Sequence, residues 1–212
     1  MIDIAIYGAG GLGREVQMLI EHINNAEEKW NFIGFFDDSC EKNTLMNGSK
    51  VIGGFSELNN YPDKLAIVLA FGKPNDKKTV VAKINNENLI YPILIHPHTH
   101  LGNLDLVSIG EGSILTAGTI VAVNVEIGKH VLVNFGSILG HDVKIGDYTS
   151  IMPSVNVNGG TVINEGVYLG VNSTIIDGVE IGKNTTIGAG SVVFNSIRES
   201  CTAMGMPAVP VM

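Results

Sequence analysis

From residue 109 onward the chain keeps one beat. Stepping by six gives Ile109, Leu115, Val121, Ile127, Val133, Leu139, Ile145, Ile151, Val157, Ile163, Leu169, Ile175, Ile181, Ile187 and Val193, all fifteen aliphatic. The position four residues after each runs from Ser113 and Thr119 through Val131 and Ser137 to Ser191 and Ile197, and is small or β-branched every time. An amphipathic helix would space apolar residues three and four apart. A period of six is that of a parallel β-helix built of hexapeptides, each a short strand and a turn. Three hexapeptides make a triangular coil, so residues 109–198 supply five coils of eighteen residues with no insertion. β-branched residues suit the strands, and glycine, which follows the aliphatic position in seven of the fifteen units, suits the corners. A sandwich of short strands is the competing reading, and it does not account for fifteen matches without a phase slip.

The first 95 residues alternate differently. The stretch "IDIAIYGAGGLGREVQMLIEHI" runs from an apolar strand through a glycine loop into an amphipathic helix. Next, "NFIGFFDD" reads as a strand ending in Asp37 and Asp38, "KLAIVLAF" as a third strand, "KPNDKKTVVAKIN" as a helix and "YPILIH" as a short closing strand. Alternating strands and helices predict a small βαβαβ unit with a parallel sheet. The expected organisation is thus a Rossmann-like α/β domain over residues 1–95, an all-β parallel β-helix over 96–198 and a tail over 199–212.

Composition narrows the chemistry. Thirteen basic against 21 acidic residues give a net charge of −8, which argues against nucleic acid or an anionic membrane as a partner. From residue 96 onward the only bases are Lys129, Lys144, Lys183 and Arg198, so an anionic ligand there meets few cations. The chain does not open on a basic and then apolar leader, and the run from Gly112 to Val125 is too short and too polar to span a bilayer; the expected compartment is the cytoplasm. Cys40 and Cys201 lie far apart without paired spacing and read as reduced thiols.

Gly8-Ala9-Gly10-Gly11-Leu12-Gly13 is a G-x-G-x-x-G pattern between a strand and a helix, where backbone N–H groups and a helix N-terminus can receive a phosphate. An acid at the end of the second strand can hold ribose hydroxyls, as in dehydrogenases. A dinucleotide site, however, is built from two βαβαβ halves, and only one precedes the repeat. A mononucleotide fits better, and packing glycines are the alternative.

These stretches, together with "GHDVKIGDYTSIMPSVNVNGG", "VYLGVNSTIIDGVEIGKNTTIGAGSVV" and the closing "GMPA", resemble the hexapeptide acetyltransferases of the sialic acid O-acetyltransferase and bacillosamine N-acetyltransferase family. The resemblance covers nearly the whole chain. It implies a left-handed β-helix, a homotrimer, acetyl-CoA bound between neighbouring β-helices, no metal, and an N-terminal domain that holds a nucleotide-linked sugar. It also implies a substrate set of Gly8, Gly10, Gly11, Leu12, Gly13, Asp37, Asp38, Gly72, Lys73 and Asn134. Gly159, Gly170, Val171, Ala189 and Gly190 would bind acetyl-CoA, Gly159 through an N–H on the thioester oxygen. Two departures stand out: many relatives carry histidine at the places of Leu12 and Ser150. The tail also lacks the lysine that commonly follows "GMPA", leaving Lys183 or Arg198 for the phosphates of CoA.

The resemblance assigns the general base to His141, with Asp142 orienting its ring. Acetyl transfer from a thioester needs an acceptor stripped of its proton, and histidine suits that task near neutral pH. A partnership of adjacent residues requires a bend, because successive side chains of a flat strand point to opposite faces. A solvated corner pair is the alternative. His96, His98 and His100 in "HPHTH" alternate as zinc ligands do, and γ-class carbonic anhydrases carry zinc on the same β-helix. Here the stretch precedes the first clear coil and reads as an interdomain connector. The expected activity is N-acetylation of an amino sugar on a uridine or thymidine diphosphate in surface-glycan biosynthesis. O-acetylation of sialic acid or another glycan sugar, and a non-catalytic nucleotide-binding trimeric scaffold, are the alternatives.

Overall fold

The computed structural model describes residues 1–211 apart from the side chain of Leu104. It forms two compact units, residues 1–72 with 76–97, and residues 73–75 with 98 onward.

The first unit is a six-stranded sheet. Its elements are β1 (Ile2–Tyr7), α1 (Gly11–Ala26), β2 (Trp30–Phe36), β3 (Leu45–Met46), β4 (Ser49–Gly53), α2 (Phe55–Asn59), β5 (Leu65–Leu69), α3 (Pro74–Lys83) and β6 (Leu89–Ile90). The strand order is β3-β4-β2-β1-β5-β6, parallel except for the β3–β4 hairpin. The chain fills one side of β1 first and then crosses to the other. The carboxyl end of β1, where the glycine loop begins, is therefore the switch point at which open α/β sheets receive ligands. The β3–β4 hairpin and α2 extend the expected βαβαβ plan. Asn47 and Gly48 both have positive φ, 46° and 80°, the two-residue turn that an Asn-Gly pair favours. The sheet closes on Leu89–Ile90, ahead of the "YPILIH" stretch, which contributes only the separate two-residue strand Leu94–Ile95.

The second unit is a left-handed parallel β-helix with three flat faces. The first face carries strands 114–115, 132–133, 150–151, 168–169 and 186–187. The second carries 100–101, 120–121, 138–139, 156–157, 174–175 and 192–193, and the third runs from 107–109 to 180–181. Rungs lie eighteen residues apart, as in Val133 on Ile151 and Leu139 on Val157. The aliphatic column points inward, and from Leu115 to Val193 its members are at most 4% exposed. At roughly 1.5–3 kcal/mol per buried aliphatic side chain, this column dominates the stability of the unit. The small column is buried at the corners, and most of its hydroxyls, though not those of Thr119 and Ser173, stitch coils together. Ser113 Oγ donates to the Gly128 carbonyl at 2.8 Å and accepts from the Val131 N–H at 3.0 Å; Ser137 does the same with Met152 and Val155.

The β-helix begins before residue 109, because His100–Leu101 already pairs with Ile120–Val121. That rung spans twenty residues instead of eighteen, since a 3₁₀ turn at Leu104–Leu106 adds two. The slip hides the first coil from a strict six-residue count, and His100 of the "HPHTH" stretch lies on a strand. At the other end Thr202–Gly205 joins the first face beside Thr186–Ile187, and Ala208–Val211 folds back on it antiparallel.

Candidate active site

The corner after Leu139 carries His141 and Asp142. Asp142 adopts φ 59°, the left-handed conformation, and this supplies the bend that lets neighbouring side chains meet. His141 Nδ1 lies 2.8 Å from Asp142 Oδ2, with side chains 68% and 56% exposed. The bond from His141, followed by one from Asn124, holds the Asp142 carboxyl below its ordinary pKa, so it is ionised at neutral pH. A carboxylate only accepts, so Nδ1 donates and Nε2 of the neutral ring is left with its lone pair. Asn124 Nδ2 donates to the other carboxylate oxygen at 2.9 Å from one coil away. Gly159 lies one coil on in the other direction, and a Cβ there would stand 2.4 Å from Nε2. Only glycine leaves the ring this position and keeps the space beyond Nε2 free.

The remaining β-helix residues collect on a different edge. Asn134, Gly170, Val171, Ala189 and Gly190 all follow strands of the first face, at its border with the second. His141, Asp142 and Gly159 follow strands of the second face, at its border with the third. The full width of the second face separates the two sets. Asn134 is buried, and its Oδ1 accepts from the Phe135 N–H at 2.8 Å, within its own turn. Along the same edge Val171 is exposed, and a Cβ at Gly190 would meet nothing within 4 Å. A slim ligand arm could lie along this rim of small residues. Ser150 is buried on the first face and its Oγ has no hydrogen-bond partner among the described residues. A groove of about 470 Å³ lies on the third face among Glu126, Lys144, Glu165 and Lys183; His141 does not line it, and Lys183 is turned away from the small-residue edge.

In the first unit the glycines of the loop divide into two kinds. A Cβ on Gly13 would sit 1.9 Å from the Gly8 carbonyl oxygen, and Gly8 has φ 109° against the Ala70 carbonyl. These two let helix and strand pack. A Cβ added at Gly10, Gly11 or Gly72 would meet nothing within 4 Å, and α1 starts without a side-chain cap on its first N–H groups. Leu12 is half-buried and Lys73 exposed.

Both carboxylates after β2 are engaged inside the unit. Asp37 accepts from the Ala9 N–H at 2.7 Å and from the N–H and hydroxyl of Ser39. Burial pushes the Asp37 carboxyl up, but the bonds from Ser39 and Ala9 outweigh it and keep the group below its usual range. Asp38 accepts from the Tyr7 hydroxyl and caps α2 through the Phe55 N–H at 2.8 Å. Desolvation, reinforced by Asp38, raises the Tyr7 hydroxyl well above its ordinary pKa. Asp37 thus shapes the loop. Sequence reasoning missed Asn124, although its spacing of eighteen from Asp142 within a repeat of that length was a usable signal.

No cluster of three or more metal-ligating side chains occurs among the described residues. His96 hydrogen-bonds His22 within the first unit at 2.8 Å. No helix among the described residues is long and apolar enough to cross a membrane.

Residues 3–84 match the PglD N-terminal domain family, and residues 160–195 match the bacterial transferase hexapeptide family of six repeats. The GDP-perosamine N-acetyltransferase of Escherichia coli O157:H7 is 30% identical over 158 residues, covering 73% of this chain and 69% of that protein. The chain belongs to the hexapeptide-repeat sugar acetyltransferases. Among solved structures, the acetyltransferase domain of PglB from Neisseria gonorrhoeae FA1090 covers 100% of both chains with a TM-score of 0.90 and 26% identity. WeeI from Acinetobacter baumannii AYE also covers 100% of both chains, with a TM-score of 0.89 and 29% identity. PerB from Caulobacter crescentus, in complex with CoA and GDP-perosamine, covers 99% of this chain and 97% of that one, with a TM-score of 0.87 and 26% identity.

Proposed function

We propose that this chain is an acetyl-CoA-dependent N-acetyltransferase acting on an amino sugar carried by a nucleoside diphosphate, and that it works in the cytoplasm as a homotrimer. The observation that carries this reading is the outward His141–Asp142 pair with Nε2 over a glycine one coil away. Acetyl-CoA supplies an activated thioester carbonyl. His141 takes a proton from the sugar amine as the nitrogen bonds to that carbonyl carbon, and the proton passes to the sulfur as the C–S bond breaks. Asp142 fixes the tautomer and stabilises the imidazolium. The Gly159 N–H is the donor for the developing oxyanion. The N–H groups at Gly10 and Gly11 receive the diphosphate, and Gly170, Val171, Ala189 and Gly190 carry the pantetheine arm.

The two edges support the trimer. Turning the second face of three prisms toward a threefold axis sets the His141 edge of each chain against the small-residue edge of the next, and closes three identical clefts. Ile120 and Ile138, outward on that face and 40% and 39% exposed, suit such a contact, whereas the third face carries Glu126, Lys144 and Glu180. The test is thiol release from acetyl-CoA with amino sugars on UDP, dTDP and GDP. Activity with one of them, lost in His141→Ala, supports the reading; no release with any of them overturns it. Co-assembling His141→Ala with Ala189→Trp subunits should restore part of the activity, and proven mixed trimers that stay inactive would place a complete site in each chain.

A further inference from the structure

Asn124 stands directly before Asp142 in the corner column. Both adopt the left-handed conformation, φ 58° and 59°, and the Asp142 N–H bonds the Val123 carbonyl at 3.0 Å. Asparagine tolerates this conformation better than most residues, so its presence could be a matter of backbone alone. Its side chain does more than tolerate the corner. The amide donates to Asp142 Oδ1 at 2.9 Å while Oδ2 of the same carboxylate faces His141 Nδ1 at 2.8 Å.

We propose that Asn124 is a positioning residue for the transfer reaction, locking the Asp142 carboxylate so that its second oxygen holds the imidazole in the tautomer with Nε2 free. This rests on the reading of His141 as the base. An exposed carboxylate on a single rotatable arm is poorly fixed, and a ring bonded to it inherits that freedom. With one oxygen tied to the previous coil, the carboxylate plane is set, and Gly159 limits the ring from the other side. The base is thus defined by three consecutive coils, each contributing one corner. The groups around it are few. His141 and Asp142 are the titratable pair, Val123, Gly140 and Gly159 bring no charge, Asp177 lies further along the same edge, and on the adjoining face Glu126 and Lys144 pair with each other at 2.9 Å.

Two substitutions keep the corner and change only the amide. Asn124→Gly is at ease with positive φ and removes the donor. Asn124→Asp is nearly isosteric and puts an acceptor where the donor was. With Asn124→Gly, kcat should fall roughly two- to tenfold, the worth of one net hydrogen bond, while KM for acetyl-CoA and the melting temperature stay put. Asn124→Asp adds negative charge that favours the imidazolium, so the acidic limb of the kcat/KM profile should move to higher pH. A residue that only shapes the corner would leave kcat of Asn124→Gly at the wild-type value, because glycine keeps the positive φ. Wild-type kcat in Asn124→Gly, or an unmoved limb in Asn124→Asp, overturns the proposal. A His141→Ala control keeps the readings apart: full turnover there removes the base itself, whereas a dead His141→Ala beside a fully active Asn124→Gly removes only the positioning role.

Discussion

Ser137 and Lys77 are both buried, and the two units place polar groups in the interior by different rules, at recurring corners in the β-helix and at isolated positions in the α/β unit. Ser137 in the β-helix is fully buried with its hydroxyl satisfied in both directions by the next coil. The solution recurs at Thr149, two corners further on, and in part at Thr161, Thr185 and Ser191, whereas the Thr119 and Ser173 hydroxyls of the same column have no hydrogen-bond partner among the described residues. Lys77 on α3 is 2% exposed, and desolvation pushes its ammonium down to about 7. The repeat buries hydroxyls at eight of its fifteen corners, Ser113, Thr119, Ser137, Thr149, Thr161, Ser173, Thr185 and Ser191, and among the described residues it buries no Lys, Arg, Asp or Glu. The α/β unit buries Gln17, Lys77 and His96 at positions with no periodic counterpart. A repeating fold can pay for polarity once and copy the answer, while an irregular one carries a local dependence on conditions.

The contrast is tested hardest at His141, the proposed base, on the regular backbone of the repeat. His141→Ala should lower turnover by roughly two to four orders of magnitude, the usual loss for a general base, while leaving the unfolding midpoint unchanged. An inactive variant that also unfolds early would mean the histidine serves the fold. The glycines of the first unit give the next largest effect. Gly13→Ala should destabilise that unit by about 2–4 kcal/mol, because its Cβ has nowhere to go but into the Gly8 carbonyl, whereas Gly11→Ala should change stability by less than about 1 kcal/mol. Equal urea midpoints for the two would erase the distinction between packing and ligand-facing glycines.

Lys77 sets a pH dependence whose sign is fixed. Its folded value of about 7 lies below the ordinary 10.5, so between those values the unfolded chain holds more protons and stability rises with pH; below 7 the contribution is flat. Urea midpoints of the wild type should therefore climb from pH 7 to pH 10, and Lys77→Met should flatten the climb. A falling midpoint in the wild type contradicts the assignment. The smallest change belongs to the repeat: Ser137→Ala should cost about 1–2 kcal/mol, since it leaves the Met152 carbonyl short of a donor in a buried corner. No loss there would mean that the hydroxyl column is dispensable.

What could be read from residues alone divides along the same line. The aliphatic column from Leu115 to Val193 and the small column are inside as the six-residue beat requires, because each coil repeats the last. The beat failed only at the 3₁₀ turn around 104–106, where two added residues put Leu101 out of phase. His141 and Asp142 were legible as a pair through the resemblance, but their contact depends on a positive φ at a non-glycine residue, which no propensity announces. In the α/β unit, the roles of Asp37 and Asp38 were not legible. An acid at the end of a second strand does not announce which groups of its own unit it bonds, here Ala9, Ser39, Tyr7 and Phe55.

The hairpin beyond the last coil bears on how such a molecule stays apart from its copies. A stack of parallel rungs ends in a row of unpaired backbone groups, which is an invitation to add further rungs from another molecule and grow a fibre. Here the row on the first face is covered by Thr202–Gly205, and the outer strand, Ala208–Val211, runs antiparallel and so breaks the parallel ladder. It also places Pro210 opposite Ala203, a residue with no N–H to offer a newcomer. Replacing that proline by a β-branched residue would hand the edge back a donor, and the place to look for the result is not the assay tube but the light-scattering trace of a concentrated sample.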